Sequence, residues 1–320
     1  MDAAGIKAYA GDRMERVFHL MEETLSSDIS LLDRTNGSIL DGGGKRIRPL
    51  LTLLAAGACG GVTEDTERLA AASELLHNAT LLHDDVVDGA STRRGRPTVS
   101  ALLNAPASVL IGDYWLSKAV GLVLDAKRET HRCVRIFAGT LKDLARGEML
   151  QLEKTTSCDT SFEDYIEIVY CKTASLFEAS ARTGAISASA PAQWEEALSA
   201  YARALGIAFQ IKDDILDYVG GDIGKPAGQD IAEQKVTMPL LAALETVSPA
   251  RQQAVRQQLA DGGAEAEILS FVREHGGVER AQTVLESYIA QAVEALAPLP
   301  EGTDKQCLAD LARYSSIRKV

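Results

Sequence analysis

Long stretches without proline limit the fold of this chain more than any other feature of its sequence. The 320 residues include only nine prolines, and the intervals between them are rich in alanine, leucine and glutamate. These residues favour helix, and no interval shows the sustained alternation of apolar and polar residues that marks a strand. The sequence therefore predicts an all-α protein of about ten or more helices. The clearest helical runs are residues 63–87, 107–126, 130–153, 162–188, 192–218 and 279–297.

A single domain over residues 1–320 is expected, because one large helical core can still hold a chain of this length. Hydrophobic residues make up 46% and charged residues 24%, which leaves no segment with the composition of a disordered region. No apolar run reaches about 18 residues, the length that would predict a membrane span. The five cysteines lack the spacing of a zinc site or a disulfide framework. We expect a soluble, cytoplasmic protein without stable membrane insertion.

The net charge of -12 argues against nucleic acid as a partner. Binding a nucleic-acid backbone requires a basic face, and no basic stripe is present. A polyanionic substrate would have to be met by metal cations or by a local concentration of Lys and Arg.

An acidic cluster ends the helix predicted at residues 63–87. Asp84 and Asp88 are four residues apart and share one face of the helix, with Asp85 beside them. Three carboxylates this close repel one another unless a cation lies among them, and their oxygens suit Mg²⁺ shared with substrate phosphates. A solvated acidic helix end would explain this cluster equally well if it stood alone.

The same spacing recurs at Asp213, Asp214 and Asp217, again at the end of an apolar helix and before a glycine-rich segment. Apolar residues separate the carboxylates in both clusters, so each helix can face a core while its aspartates line a cavity. The repetition favours two acidic patches that hold several metal ions around one diphosphate over two unrelated surface patches.

Basic residues accompany both acidic clusters. Lys45, Arg46 and Arg48 follow a glycine run, the arginine pair at 93–94 follows the first cluster, and Lys225 follows the second. Guanidinium and ammonium groups suit phosphate oxygens, and backbone amides in a glycine run can add to them. The glycine spacing is not that of a P-loop. The sequence therefore predicts a phosphate-binding site built from metal ions and cationic side chains.

The chain resembles the trans-isoprenyl diphosphate synthases over nearly its whole length. The resemblance implies the isoprenoid synthase fold, a large helical bundle around a central cavity, and usually a homodimer. It implies head-to-tail condensation of isopentenyl diphosphate with an allylic diphosphate, which about three Mg²⁺ ions clamp in the active site. The matching segments are GGGKRIRP at 42–49, HNATLLHDDVVDGASTRRGRPT at 77–98, ARGEMLQLE at 145–153, KTA at 172–174, FQIKDDILD at 209–217 and GKPAGQDIAEQKVTMPL at 224–240.

The resemblance also implies a role for each matching residue. Asp85, Asp214 and Asp217 match residues that support the metal ligands or bind metal through water. One departure is visible, because Gln234 stands where many members of the family carry glycine before the lysine. The remaining matches are Asp84, Asp88 and Asp213 as direct metal ligands, Arg93, Lys172, Lys225 and Lys235 at the allylic diphosphate, Lys45, Arg48, His77 and Arg94 at isopentenyl diphosphate, and Thr173 and Gln210 at the reacting centre.

Product length is predicted from the helix that carries the first cluster. A chain growing away from Asp84 would pass Thr80, Leu76 and Ser73, which lie within about 80° of Asp84 on the helix and mark a path of about 16 Å. Ala79 also lies near the start of this path. Small residues therefore line much of it, although they would equally allow close helix packing.

No bulky floor is available on this helix, since no aromatic residue occurs between Phe18 and Tyr114. Any floor is expected from an opposite helix, at Trp115 or Leu116. We therefore expect a long all-trans product, in the range of about C30 to C45 that the resemblance implies for members with small residues at these positions.

Three alternatives stay open at this point. A short-chain farnesyl or geranylgeranyl diphosphate synthase would share the motifs. A terpene cyclase has no second diphosphate to hold, and a non-catalytic partner subunit typically lacks one or both aspartate motifs.

Overall fold

The structure is a computed structural model that describes residues 3–93, 95–220 and 228–317. Two predicted site residues, Arg94 and Lys225, lie outside the described residues. Helices account for most of the described chain and its two strands have two residues each, so the prediction of an all-α fold is confirmed.

The N-terminal elements end with the helix that follows the first acidic cluster. A short antiparallel hairpin, in which Thr92 pairs with Pro97 and Arg93 with Arg96, interrupts the helices after that cluster. The elements are α1 (Ala3–Tyr9), α2 (Gly11–Leu25), α3 (Ser30–Asp41), α4 (Ile47–Ala58), α5 (Glu64–Val87), β1 (Thr92–Arg93), β2 (Arg96–Pro97), α6 (Val99–Leu102) and α7 (Ala105–Asp125).

The central elements carry the second acidic cluster. The helical run predicted at residues 162–188 is not one α-helix, because a π-helical turn at Tyr170–Ala174 divides it. The elements are α8 (Thr130–Ser157), α9 (Phe162–Val169), the π-helical turn, α10 (Ser175–Ser187) and α11 (Ala192–Val219).

Shorter helices complete the described chain. Long loops are absent from this described part, and most connections are a few residues long. The elements are α12 (Gln229–Ala232), α13 (Met238–Leu244), α14 (Pro249–Asp261), α15 (Glu265–Glu274), α16 (Gly277–Ala295) and α17 (Thr303–Ile317).

The chain forms two compact units. Unit 1 comprises Met1–Ala138, Ala179–Leu198 and Pro298–Leu308, and unit 2 comprises Gly139–Glu178, Ser199–Ala297 and Ala309–Val320.

The core of unit 1 is centred on α5, which packs against α7, α4 and α2. Its middle is fully buried from Leu69 to Leu76 except for Glu74, which is 8% exposed. A capping box fixes its start, because the Thr63 hydroxyl accepts from the Thr66 N–H and the Thr66 hydroxyl accepts from the Thr63 N–H. The buried middle and the fixed start set where the other end of α5, with its aspartates, emerges.

The core of unit 2 includes α13, which is buried along its whole length and packs against α16, α15 and α9. Gly277 in α16 permits this close approach, because a Cβ there would lie 2.8 Å from Val272 and 3.0 Å from Ala243. The segment that contains Lys235 directly precedes α13.

Candidate active site

The first aspartate cluster lies on the last turn of α5 in unit 1. Asp85 is buried, and its Oδ1 accepts a hydrogen bond from Arg93 Nε at 2.6 Å. Asp84 is half-buried and Asp88 is exposed. Asp88 ends the helix, with its N–H donating to the Asp84 carbonyl at 2.8 Å. His83 turns away from the cluster, since its ring lies 3.3 Å from Asp113 Oδ1 in α7.

The residues assigned to isopentenyl diphosphate also lie in unit 1. Lys45 is exposed at the end of the glycine run, and Arg48 is half-buried in the first turn of α4. His77 is half-buried in α5. Arg46, between the two cations, has a left-handed backbone with φ 49° and ψ 41°.

In the second aspartate cluster, Asp214 is bonded within its own unit. The Asp214 carboxylate is 3% exposed; its Oδ2 accepts from Tyr165 OH at 2.5 Å and from the Met238 N–H at 3.3 Å, and its Oδ1 accepts from Gln210 Nε2 at 3.0 Å. Such a carboxylate is fixed in place by the groups around it.

The other two aspartates of this cluster, Asp217 and Asp213, have different surroundings. Asp217 accepts two backbone hydrogen bonds, from the Gln229 N–H at 3.2 Å and the Asp230 N–H at 3.1 Å, and so anchors the start of α12. Asp213 is half-buried.

Several predicted residues of unit 2 meet at one cavity of about 170 Å³. Lys172, Thr173 and Gln210 line it together with Asp214 and Lys235. The Thr173 hydroxyl donates to Gln210 Oε1 at 3.0 Å, so a hydrogen-bonded chain runs from Thr173 through Gln210 to Asp214. The structure therefore brings together the unit 2 residues assigned to the reacting centre and to the allylic diphosphate.

The π-helical turn presents Lys172 and Thr173 to this cavity. It lies against two glycines: a Cβ on Gly206 would be 2.5 Å from Ala174 Cα, and a Cβ on Gly147 would be 2.8 Å from Lys172 Cγ. A π turn inserts one extra residue into a helix and often marks a functional site. The glycines allow α8 and α11 to contact that widened turn.

The described cations assigned to the allylic diphosphate each have a carboxylate partner in their own unit. These ion pairs are Lys172 with Glu148 at 2.7 Å, Lys235 with Glu233 at 2.5 Å and Arg93 with Asp85 at 2.6 Å. Lys172 Nζ also donates to Gln151 Oε1 at 2.9 Å.

Burial changes the acidity of two carboxyl groups at this cavity. Burial raises the pKa of Asp214 above the usual carboxyl value, although its hydrogen bonds from Tyr165 and Gln210 oppose the rise. Burial, reinforced by the charges of Asp214 and Asp217, likewise raises the pKa of Asp230.

The donor set suits Mg²⁺ that is shared with a substrate. Among the described residues, no group of three or more His, Cys, Asp or Glu side chains is close enough to hold a metal ion. Carboxylates at the ends of α5 and α11 would thus supply only part of a coordination shell. This matches the preference of Mg²⁺ for one or two carboxylates, with substrate phosphates and water completing its shell.

The chain-length residues lie in unit 1. Leu76 and Ala79 are each 1% exposed, and Thr80 is half-buried with its hydroxyl bonded to the His77 carbonyl. Trp115 is fully buried and donates from Nε1 to Asn36 Oδ1 at 2.8 Å. The tunnel along α5 stays a prediction.

Sequence reasoning missed some of the groups that contact the predicted residues. Nothing in the sequence marked Tyr165, which bonds to Asp214. Glu148 and Gln151, which lie within the matching segment 145–153 on α8, both contact Lys172. Asp230 stands inside the segment 224–240 that carried the resemblance.

Comparisons with known proteins agree with this geometry. The polyprenyl synthetase family model matches residues 29–274. An octaprenyl diphosphate synthase of Haemophilus influenzae is 38% identical, over 98% of this chain and 96% of its own length. A short chain isoprenyl diphosphate synthase of Methanothermobacter thermautotrophicus is 33% identical, over 95% of this chain and 97% of its own.

A solved structure of a related enzyme has the same fold as this chain. The crystal structure of a decaprenyl diphosphate synthase from Rhodobacter capsulatus superposes with a TM-score of 0.92 at 36% identity, and the match covers 98% of each chain. The isoprenoid synthase fold implied by the sequence is therefore confirmed. The chain belongs to the polyprenyl synthetase family and is a prenyltransferase.

Proposed function

We propose that this enzyme condenses isopentenyl diphosphate head to tail with an allylic diphosphate to give an all-trans polyprenyl diphosphate of about C30 to C45, the range that the resemblance to long-chain members implies. The observation that carries the reaction is the set of Lys172, Thr173, Gln210 and Lys235 on one cavity beside the second aspartate cluster. The relative named as an octaprenyl diphosphate synthase supports a product within this range, and the one named as a decaprenyl diphosphate synthase supports a long product that exceeds it.

The reaction breaks the bond between the allylic carbon and the diphosphate oxygen, and the resulting cation is attacked by the double bond of isopentenyl diphosphate. A new carbon–carbon bond forms, and a proton is lost to the released pyrophosphate. Bound Mg²⁺ supplies charge stabilisation for the leaving diphosphate. Asp84, Asp88 and Asp213 would hold the metal ions, about three per active site.

Cationic side chains of the protein also stabilise the leaving diphosphate. Lys172, Lys235 and Arg93 bind the diphosphate and stabilise the negative charge that develops as it leaves. Lys172 and Lys235 exchange their present partners, Glu148 and Glu233, for diphosphate oxygens, while Arg93 keeps its bond to Asp85. Thr173 and Gln210 direct oxygen dipoles at the cation that forms.

Lys45, Arg48 and His77 hold isopentenyl diphosphate in this proposal, together with Arg94. Asp85 positions Arg93, while Asp214 and Asp217 position the second cluster instead of binding metal directly. Their hydrogen bonds to protein donors support this division.

The reaction is tested by assaying the purified protein with an allylic diphosphate and Mg²⁺, with and without isopentenyl diphosphate. We expect chain elongation only when both substrates and the metal are present. Hydrocarbon formed from the allylic diphosphate alone would indicate a terpene cyclase. No turnover with both substrates, in a correctly folded sample, would indicate a partner subunit.

A short-chain product is the second candidate. The short chain isoprenyl diphosphate synthase among the relatives supports it, and so does the buried bulk of Trp115 and Leu76. The small side chain of Ala79 favours the long product, because it places no bulk beside the first cluster.

A homodimer is proposed on the outer face of α7. Val109, Leu110, Val120 and Leu124 are exposed and lie within about 100° on that helix, with exposed Asp113 on the same face. A largely apolar exposed face of this length is typical of an interface. Changing Leu110 to Glu should dissociate the dimer in sedimentation analysis, and an unchanged mass would exclude this face.

A cytoplasmic location is also proposed. The five cysteines, all in the described part of the chain, are buried thiols outside any disulfide, as in a reducing compartment. Among the described residues, α7 has the length and composition of a membrane span, a test that core helices of soluble proteins also pass. Recovery in the soluble fraction without detergent would support the proposal, and recovery only with membranes would contradict it.

A further inference from the structure

Two residues next to the diphosphate lysines share an uncommon backbone. Arg46 follows Lys45 with φ 49°, and Gln234 precedes Lys235 with φ 57°. Residues other than glycine seldom adopt this left-handed conformation, because Cβ comes too close to the following carbonyl oxygen. Each therefore needs a compensating contact.

Arg46 has such contacts in unit 1. Its guanidinium donates to the carbonyl of Leu40 at 3.3 Å, one of the last carbonyls of α3, and lies 4.1 Å above the ring of Phe18 in α2. Its own carbonyl accepts from the Leu50 N–H, in the first turns of α4. One side chain thus links α2 and α3 to the residue at which α4 begins.

Gln234 makes the equivalent contact in unit 2. Its side-chain Nε2 donates to the carbonyl of Ala260 at 2.8 Å and lies 3.4 Å from that of Leu259, among the last carbonyls of α14. The same turn is closed by the Lys235 N–H, which donates to the Asp230 carbonyl at 2.8 Å. The residue that departs from the family's glycine therefore gains a helix-end hydrogen bond that glycine cannot make.

We propose that Arg46 and Gln234 are positioning residues, whose side chains hold a left-handed turn so that Lys45 and Lys235 reach their diphosphates. Arg46 therefore does not bind phosphate, although its charge and its place in the glycine-rich motif suggested that it would. The proposal rests on the proposed function, in which Lys45 serves isopentenyl diphosphate and Lys235 the allylic diphosphate.

Alanine and glycine variants separate positioning from direct contact. Both substitutions remove the side chain, but only glycine adopts the left-handed turn without penalty. Arg46→Ala should raise the KM for isopentenyl diphosphate about tenfold, equivalent to about 1.4 kcal/mol and similar to the cost of a left-handed L-residue. Arg46→Gly should raise it no more than about threefold, because the turn persists.

The two Gln234 variants should show the same difference between alanine and glycine, but in the KM for the allylic diphosphate. Gln234→Ala should raise the KM for the allylic diphosphate about tenfold, and Gln234→Gly no more than about threefold. The KM for isopentenyl diphosphate should stay unchanged in both. A purely structural role would change the unfolding midpoint without separating the two substrates.

Two further variants complete the design. Arg34→Ala removes an exposed arginine of α3 and controls for loss of charge. Phe18→Leu removes the ring beneath Arg46 without changing any charge, and it should raise the KM for isopentenyl diphosphate as Arg46→Ala does.

Equal effects of alanine and glycine at either position would overturn the proposal, and so would a normal KM in Phe18→Leu. The assignment of Lys45 and Lys235 to the two diphosphates is tested by separate variants. If Lys45→Ala and Lys235→Ala leave both KM values unchanged, the roles of the lysines are wrong, whatever Arg46 and Gln234 do.

Discussion

The two aspartate clusters have the same spacing but differ in how each is held. In the cluster on α11, Asp214 accepts three hydrogen bonds and Asp217 accepts two. In the cluster on α5, Asp85 accepts from Arg93, while Asp88 is exposed at the end of the helix. One sequence motif therefore corresponds to two local environments.

The difference indicates that the second cluster is ordered by its own unit before substrate arrives. Its hydrogen bonds come from α9, α11, α12 and the start of α13. In the first cluster, Asp85 is bonded to Arg93, a side chain that can turn to solvent, so on the proposed function metal and diphosphate would have more of its geometry left to set. The predictions below test this contrast.

The largest expected effect is a loss of turnover when the first aspartate of either cluster is replaced, and the two clusters should behave alike in this test. Asp84→Ala and Asp213→Ala should each lower turnover by two orders of magnitude or more, a loss of roughly 3 kcal/mol of transition-state stabilisation. Circular dichroism should show an intact helical fold. Near-normal turnover in either purified variant would remove that cluster from the metal site.

The middle aspartates should differ in their effect on stability. Asp214→Ala should lower the free energy of unfolding by about 3 kcal/mol, because it leaves the buried hydroxyl of Tyr165 and the Met238 N–H without an acceptor. Asp85→Ala should cost about 1 kcal/mol, since Arg93 can turn to solvent. Urea unfolding measures both, and equal losses would abolish the contrast between the clusters.

A smaller effect should arise where Thr173 begins the hydrogen-bonded chain to Asp214. Gly206→Ala should lower kcat about tenfold, because its methyl group displaces Ala174 and with it the neighbouring Thr173. Gly139→Ala in α8 is the matched control, since a Cβ there meets nothing within 4 Å. The control should keep normal kcat and gain up to about 1 kcal/mol of stability. Equal kcat in the two variants would show that the π-helical turn needs no glycine behind it.

Much of this molecule followed from local sequence. The predicted run 63–87 became α5 at Glu64–Val87, and 192–218 became α11 at Ala192–Val219, because long Ala- and Leu-rich intervals have one dominant periodicity. The positions of the aspartate clusters at helix ends followed from the same patterns. The family and the all-α fold were confirmed.

What escaped prediction depends on contacts between distant residues. The π-helical turn interrupts a run of helix-compatible residues, and only its packing against Gly147 and Gly206 explains it. Arg46 was predicted as a phosphate ligand from its charge and its glycine-rich segment. Its contacts with Leu40 and Phe18 could not be predicted, because these residues lie in other helices. The cluster contacts of Tyr165 likewise arise from the fold, not from any local pattern.

The central claim is that this enzyme makes a long all-trans chain, and mass analysis of its product tests it most directly. The purified enzyme is incubated with farnesyl diphosphate, isopentenyl diphosphate and Mg²⁺, and Ala79→Tyr is run beside it. We expect a main product of about C30 to C45 from the unmodified enzyme and of about C15 to C20 from the variant, because the tyrosine fills the path near Asp84. A product of C20 or shorter from the unmodified enzyme would contradict the long-chain assignment, and an unchanged product from Ala79→Tyr would show that the growing chain does not follow α5.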